Sequence, residues 1–430
     1  MAEIKPFRGL RYNPRKIADL SQVITQPYDK ITPEMQAEYY KRHADNYVRL
    51  IFGREADRYQ ESYDFFNKWI AEGILIKDDE PALYPYTQTY KTEANPNPVT
   101  RTGFIAALRL HPYEDKVVLP HERTLKSAKE DRFSLFTKTL KNYEQVFMLY
   151  GDPGCTIEKL FAEPISQKPL MEATDDYGCI HRVWRVTDKA IIKKAQDVLS
   201  ALPVMIADGH HRYETALALR DYLKERIPDA PADSAFNYRM VTLVNLFDPG
   251  LLVLPTHRFV IKLKTPFGEF ERALHEYFDV KEVQKSELMN ELKREASKHS
   301  FGLYSKNKTL LLVLKNQKIM DEIMADSSPE VKALDVSVLH MLVIEKLLAI
   351  SKDEIESFIK YERYADKAMA AVDRGEFEML FLMNPTRVDQ VEAVSKAGEK
   401  MPQKSTDFYP KLVSGLVAFD VDPGERLSDS

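Results

Sequence analysis

Cysteine is nearly absent from this 430-residue chain, with Cys155 and Cys179 its only thiols. Two cysteines exclude a disulfide scaffold and a four-cysteine zinc site. Glycine is scarce as well: 15 residues, against the roughly 7% of average proteins, leave few loops that could wrap a phosphate. No apolar run reaches the ~18 residues of a membrane-spanning helix. The opening residues, Met1-Ala-Glu-Ile-Lys-Pro-Phe-Arg8, lack the apolar core of a secretion signal. G-x-G-x-x-G, G-x-S-x-G and H-E-x-x-H are all missing. The expectation is a soluble cytoplasmic protein, without membrane contact, outside the common enzyme signatures.

What is present is globular. Hydrophobic residues make up 44% and charged residues 30%, and 61 Lys+Arg against 66 Asp+Glu give a formal net charge of -5. At about 150 residues per domain, the length predicts two or three domains with a large core. Mild acidity disfavours a general nucleic-acid coat but leaves a local basic pocket open.

The clearest local pattern runs from 187 to 226. Thr187 is expected to cap a helix with Ile191, Ile192, Ala195, Val198, Leu199 and Leu202 at helical spacing. A short apolar strand, Leu202–Ala207, leads into the turn Asp208-Gly-His-His-Arg212, and Tyr213–Arg226 follows as a helix ended by Pro228. Further strands are expected at Thr102–Leu110, Gln145–Tyr150 and Met240–Leu246, with Asn95–Pro98 as loop punctuation. The first 100 residues otherwise read as irregular, with helical patches at Pro33–Lys41 and Asp57–Ala71, and a polar helix covers Lys126–Asn142. Beyond about residue 262, helices at Phe267–Tyr277, Asp335–Ile350 and Thr386–Ala397 alternate with strands at Thr309–Leu314, Glu376–Met383 and Leu412–Phe419. The fold class is therefore α/β (α+β), with domains at 1–262 and 263–420 and a frayed tail at 421–430.

Asp208-Gly-His-His-Arg212 carries the strongest chemical signal. Gly209 lets the backbone approach a ligand, Arg212 offers a planar fork for phosphate oxygens, and the helix dipole adds positive charge. Asp208 is a candidate Mg2+ ligand or a carboxylate orienting His210 or His211. Three cationic donors at a dipole's positive end are unfavourable without an anion, which favours a ligand over a capped helix with a buried His pair. His121-Glu-Arg-Thr-Leu-Lys126 has two readings of equal weight: Glu122 as a general base beside His121 and Arg123, or a helix-capping arrangement. Gly398–Thr406 resembles a phosphate loop with Gln403 in place of its second glycine. Lys404, Ser405, Thr406 and Lys411 could still close on a phosphate. Pro27-Tyr28-Asp29 and Pro255-Thr-His-Arg258 read as turns by spacing alone, and Asp29, His121, Arg123 and Arg258 are the substrate-binding candidates.

Six segments in order resemble one family: Pro27-Tyr28-Asp29, His121-Glu-Arg-Thr124, Ala207–Ala216, Asp248-Pro-Gly-Leu251, Pro255-Thr-His-Arg258 and Met401–Thr406. They look like the large uncharacterised prokaryotic family filed as domain of unknown function number ten-fifteen, over nearly the whole chain. A second resemblance covers about 25 residues. The strand, Asp-Gly-His-His-Arg turn and helix are similar to the phosphate-binding turn of the ParB/sulfiredoxin fold, which includes sulfiredoxins, ParB-like CTP-binding proteins and free-serine kinases. It implies a ParB/sulfiredoxin-like element in the N-terminal half, with Gly209, His210, His211 and Arg212 on nucleotide phosphates. Glu122 has no counterpart in that motif and rests on its chemistry alone.

The resulting expectation is a phosphotransferase moving a phosphoryl group from ATP or ADP, with Mg2+, to a small hydroxyl metabolite, free L-serine first. Asp208 and His210 join Glu122 as catalytic candidates. The C-terminal domain is expected to close a cleft over the site, and the partners expected are a small-molecule substrate, a nucleotide and a second copy of the chain in a homodimer. The rivals are a nucleotide-dependent DNA-binding protein, a phosphohydrolase and a non-catalytic sensor. Sulfiredoxin chemistry is disfavoured, because Cys155 and Cys179 lie well before the turn.

Overall fold

The structure, a computed structural model, describes residues 1–92, 95–122, 126–402 and 404–427, without the side chains of residues 95 and 126–128. These form two compact units. One comprises residues 1–120, 126–251 and 410–427; the other comprises 121–122 and 252–409. The boundary expected at residue 262 lies within the second unit, and residues beyond 410 return to the first. That return is pinned by bridges from Ser414 to Thr25 and from Ala418 to Leu10, and by pairing of Phe419–Asp420 with Lys141–Asn142. Val421 and Leu427, in the segment expected to fray, are buried.

The first unit is built on a nine-stranded mixed sheet. Its order is Val118–Leu119, Val204–Asp208, Val146–Tyr150, Tyr238–Asn245, Asn95–Arg109, Tyr84–Thr92, Ile180–Val183, Met171–Thr174, with Ile4–Lys5 also on Asn95–Arg109. Two pairings are parallel, Val204–Asp208 with Val118–Leu119 and Tyr238–Asn245 with Val146–Tyr150. Val146–Tyr150 and Tyr238–Asn245 lie centrally and are buried along their whole length, which is why they read as apolar runs without alternation. Helix Lys189–Leu199 presents Ile192, Ala195 and Leu199 to the core. Asp188, not Thr187, is its cap, accepting from the backbone N–H groups of Ala190 and Ile191, a contact worth about 1 kcal/mol. The helices Pro33–Arg42 and Arg58–Ala71, capped by Thr32 and Asp57, form with Trp69 and Tyr47 a separate aromatic-rich core.

Two further sequence expectations fail in this unit. Asn95–Pro98 is strand, not loop. Tyr238–Asn245 pairs with the long strand only as far as Gly103, so one edge beyond is open, and a bulge between Tyr90 and Thr92 relaxes the other. An open edge beside a bulge is where a strand tolerates proline. Leu412–Phe419 is not a strand: its residues are buried through isolated bridges, and only Phe419–Asp420 pairs.

In the second unit a six-stranded antiparallel sheet runs Phe278–Glu282, Thr309–Leu314, Ser300–Ser305, Met379–Met383, His257–Val260, Ile359–Glu362. Helix Phe267–Tyr277 and strand Thr309–Leu314 have the expected bounds. The expected helix Asp335–Ile350 begins as one α-turn and continues over Val338–Leu347 as a wider π-helix, with Leu348 N–H donating to the Val343 carbonyl at 2.9 Å. No helix among the described residues is long and apolar enough to cross a membrane.

Candidate functional site

The strand Val204–Asp208 ends at a carboxylate, Gly209 turns the chain at φ +95°, and the 17-residue helix His210–Arg226 begins at once. Only glycine adopts that backbone without strain. His210, His211 and Arg212 therefore occupy the first helical turn, where the macrodipole favours negative charge. The helix is tied to its neighbour Lys126–Thr139 by Lys129 on Glu214 at 2.9 Å and by Phe133 edge-on to Tyr222.

Asp208 organises the turn. Its Oδ2 accepts from Arg212 Nη2 at 2.7 Å and its Oδ1 from Lys411 Nζ at 3.1 Å. Burial works against its charge, yet Lys411, Arg212 and Lys30 hold the carboxyl well below the ordinary range. Arg212, 6% exposed, also donates to the Gln145 carbonyl at 2.5 Å. Burial opposes its charge as well, and the carboxylates of Asp208, Glu144 and Asp29 more than offset this. Burial lowers the His211 imidazole, and Glu214 and Asp29 do not restore it, so the neutral form is favoured. His210 is 3% exposed. Asp29 and Lys30 stand on the short turn Tyr28–Lys30, whose Tyr28 N–H donates to Glu144 Oε1 at 3.0 Å.

The first unit thus holds Asp29, Asp208, Gly209, His210, His211, Arg212 and Lys411 from the sequence candidates. It adds Lys30, Glu144 and Gln145, which sequence reasoning missed. Gln145 had one visible signal: a polar residue directly before the apolar run Val146–Tyr150.

The remaining candidates belong to the second unit. His121 Nε2 and Thr406 Oγ1 share a hydrogen bond of 3.1 Å, and Met401 N–H donates to the His121 carbonyl at 2.8 Å. Ser405 Oγ donates to the Pro402 carbonyl at 2.5 Å, while its own carbonyl accepts from Thr386 at 2.7 Å. Lys404 is exposed at φ +57°, and its carbonyl accepts from Arg258 Nη2 at 2.9 Å. Arg258 is not on a turn but in strand His257–Val260, 2% exposed. Its other donors go to the Thr256 carbonyl, Met383 Sδ and His340 Nε2. That internal network, not an open face, is where its guanidinium is used. Glu122 is half-buried in a bend. Arg123 and Gln403 lie outside the described residues.

For a metal, the donors that gather among the described residues are Asp175, Cys179 and His181 in the first unit, not Asp208. His181 already bonds Asp175 Oδ2 at 3.2 Å and Tyr86 Oη at 2.7 Å, and burial pushes the Cys179 thiol well up.

The family described as "Protein of unknown function (DUF1015)" matches residues 4–337. Among curated relatives, the energy-dependent translational throttle protein EttA of Haemophilus influenzae is 27% identical over 99 residues. That stretch is 23% of this chain and spans 16% of the relative's length. Three solved structures show low overall similarity. A conserved hypothetical protein from Pyrococcus furiosus is 15% identical at TM-score 0.36, over 75% of this chain and 95% of that one. A free serine kinase in complex with AMP is 14% identical at TM-score 0.37, over 75% and 92%. SbnI from Staphylococcus aureus, with a C-terminal truncation, is 12% identical at TM-score 0.35, over 73% and 86%. At TM-scores below 0.5 these likenesses transfer no activity.

Proposed function

The chain belongs to the DUF1015 family, a membership that names no reaction, and from its own side chains we propose that the Asp208–Arg212 turn binds the phosphates of a nucleotide. The supporting observation is Asp208 itself: one carboxylate fixes two cations, Arg212 and Lys411, at the N-terminus of a 17-residue helix. Cations held by the fold before the ligand arrives lose nothing to reorganisation when phosphate charge approaches. Arg212 supplies a planar fork, Lys411 a point charge, and Lys30 adds to the local field.

We read the activity as transfer of a phosphoryl group from ATP or ADP to a small hydroxyl compound, free L-serine first. Such transfer depends on positioning and charge neutralisation more than on covalent chemistry. Asp208 does not fit the part of a Mg2+ ligand, since both its oxygens already serve cations. Its part is to position Arg212 and Lys411, and no step is routed through a metal there.

The test is calorimetric titration with ATP, ADP and AMP, followed by incubation with free amino acids and mass spectrometry. Nucleotide binding that weakens about tenfold in Lys411→Met, the loss of one charge-assisted contact, together with phosphoserine formation, supports the reading. Failure of the wild-type protein to bind any nucleotide sinks it. Nucleotide loss without a phosphorylated product would replace the kinase by a phosphohydrolase.

A further inference from the structure

Behind the turn, the first unit contains a cavity with about 30 Å³ of room, lined by Arg132, Arg212, Arg239, Lys141, Glu144 and Thr215 among others. Four cations and one carboxylate face it. Three of the cations have acidic partners, Arg132 among them also Glu144 on the wall at 3.8 Å, but those acids are shared. Asp208 serves Lys411 besides Arg212, Asp420 serves Lys77 besides Lys141, and Asp131 serves Arg58 besides Arg132.

Arg239 has no such partner. It stands in the central strand Tyr238–Asn245, 4% exposed, and forms no ion pair among the described residues. One Nη donates to the Glu144 carbonyl at 2.6 Å, and the guanidinium lies 5.3 Å from the Phe136 ring centre. Its Nε is buried without a hydrogen-bond partner. Burial first and the Arg212 charge second pull its pKa down to about 9, and the Glu144 carboxylate offsets them only in part. A buried charge without a counter-ion is costly, and a fold that keeps one ordinarily supplies the missing charge.

We propose that this cavity holds one compact monovalent anion of chloride type, the counter-ion of Arg239, braced by Arg132 and Arg212. Its size and charge set the class. A single water needs about 10–15 Å³ of such room, so the cavity accommodates a monatomic ion with a water. Glu144 on the wall disfavours a dianion. Water alone would satisfy the Nε but leave the charge only partly offset by Glu144. The site shares Arg212 with the proposed phosphate turn but rests on Arg239, and it is tested without nucleotide.

The experiment pairs thermal melts in sodium chloride and sodium gluconate at equal ionic strength with a crystal grown in bromide. Chloride is expected to raise Tm by about 2–4 °C, and a bromide anomalous peak is expected beside Arg239. Both effects should vanish in Arg239→Met. Should that variant not fold, the wild-type bromide map decides alone. Equal Tm in the two salts, a cavity holding only water, or an ordered phosphate in place of bromide would overturn the proposal.

Discussion

Lys411 Nζ lies 3.1 Å from Asp208 Oδ1, joining residues 203 positions apart in the chain. The lysine reaches that carboxylate because its backbone is tied on both sides. Gln88 donates to the Lys411 carbonyl at 2.9 Å, and Arg101 to the Pro410 carbonyl at 2.6 Å. Lys411→Met keeps these backbone ties and removes only the charge. Its expected effect is about tenfold weaker nucleotide binding with unfolding stability changed by less than about 1.5 kcal/mol, read by titration and urea denaturation. Unchanged affinity would separate Lys411 from the phosphates.

Asp208→Asn should be the costlier change. It leaves Arg212 buried with its nearest carboxylate gone, a loss of about 3 kcal/mol, the lower end for breaking a buried pair. The folded pKa of Asp208 lies well below its unfolded value near 3.9. Its contribution to stability is therefore complete above about pH 4 and is lost as pH falls through the folded value. Urea midpoints measured from pH 6 down to acid should converge for wild type and variant at low pH. A constant gap at every pH would show that Asp208 stabilises through something other than its charge.

Two histidines of the second unit give the opposite diagnosis. Burial first and Arg258 second bring His257 and His340 down to about 3. Both are neutral when folded, and His257 Nδ1 accepts the Met383 N–H at 3.2 Å. Unfolded, each takes up a proton near pH 6.5. Stability should then fall between pH 6.5 and 3 by up to about 1.4 kcal/mol per pH unit for each residue. Hydrogen exchange of the Met379–Met383 amides reports it, and His340→Gln should flatten the slope by about one proton's worth. An unaltered slope would mean that His340 is already charged in the fold.

The turn was legible in sequence because its signals are local: four apolar residues, one glycine, then helix formers from Tyr213 onward. Lys411 was visible only as an appendage of the Lys404–Thr406 loop, since no local pattern records a contact across 203 residues. Arg258 was misplaced for a related reason. Its strand, His257–Val260, is short, follows a proline, and gains its identity from partners at 359–362 and 379–381. Asn95–Pro98 was misread because proline usually breaks a ladder, and only the open edge of this sheet accommodates it. Leu412–Phe419 was misread because burial without pairing produces the same apolar run as a strand.

Gly209→Ala separates backbone strain from displacement of Arg212. A Cβ at Gly209 would lie 2.9 Å from Arg212 Nε and 3.1 Å from its Cζ, and φ stands at +95°. The guanidinium retreats only by surrendering Asp208 or the Gln145 carbonyl, so this contact does not relax cheaply. Gly178 is the control: its φ is +76° and a Cβ there meets nothing within 4 Å. Gly178→Ala should cost about 1 kcal/mol from strain alone. Gly209→Ala should cost roughly 1–2 kcal/mol more and should weaken nucleotide binding at the same time. Equal losses in the two variants, with binding intact, would mean that Arg212 yields freely and that its position is not what the turn is built to hold.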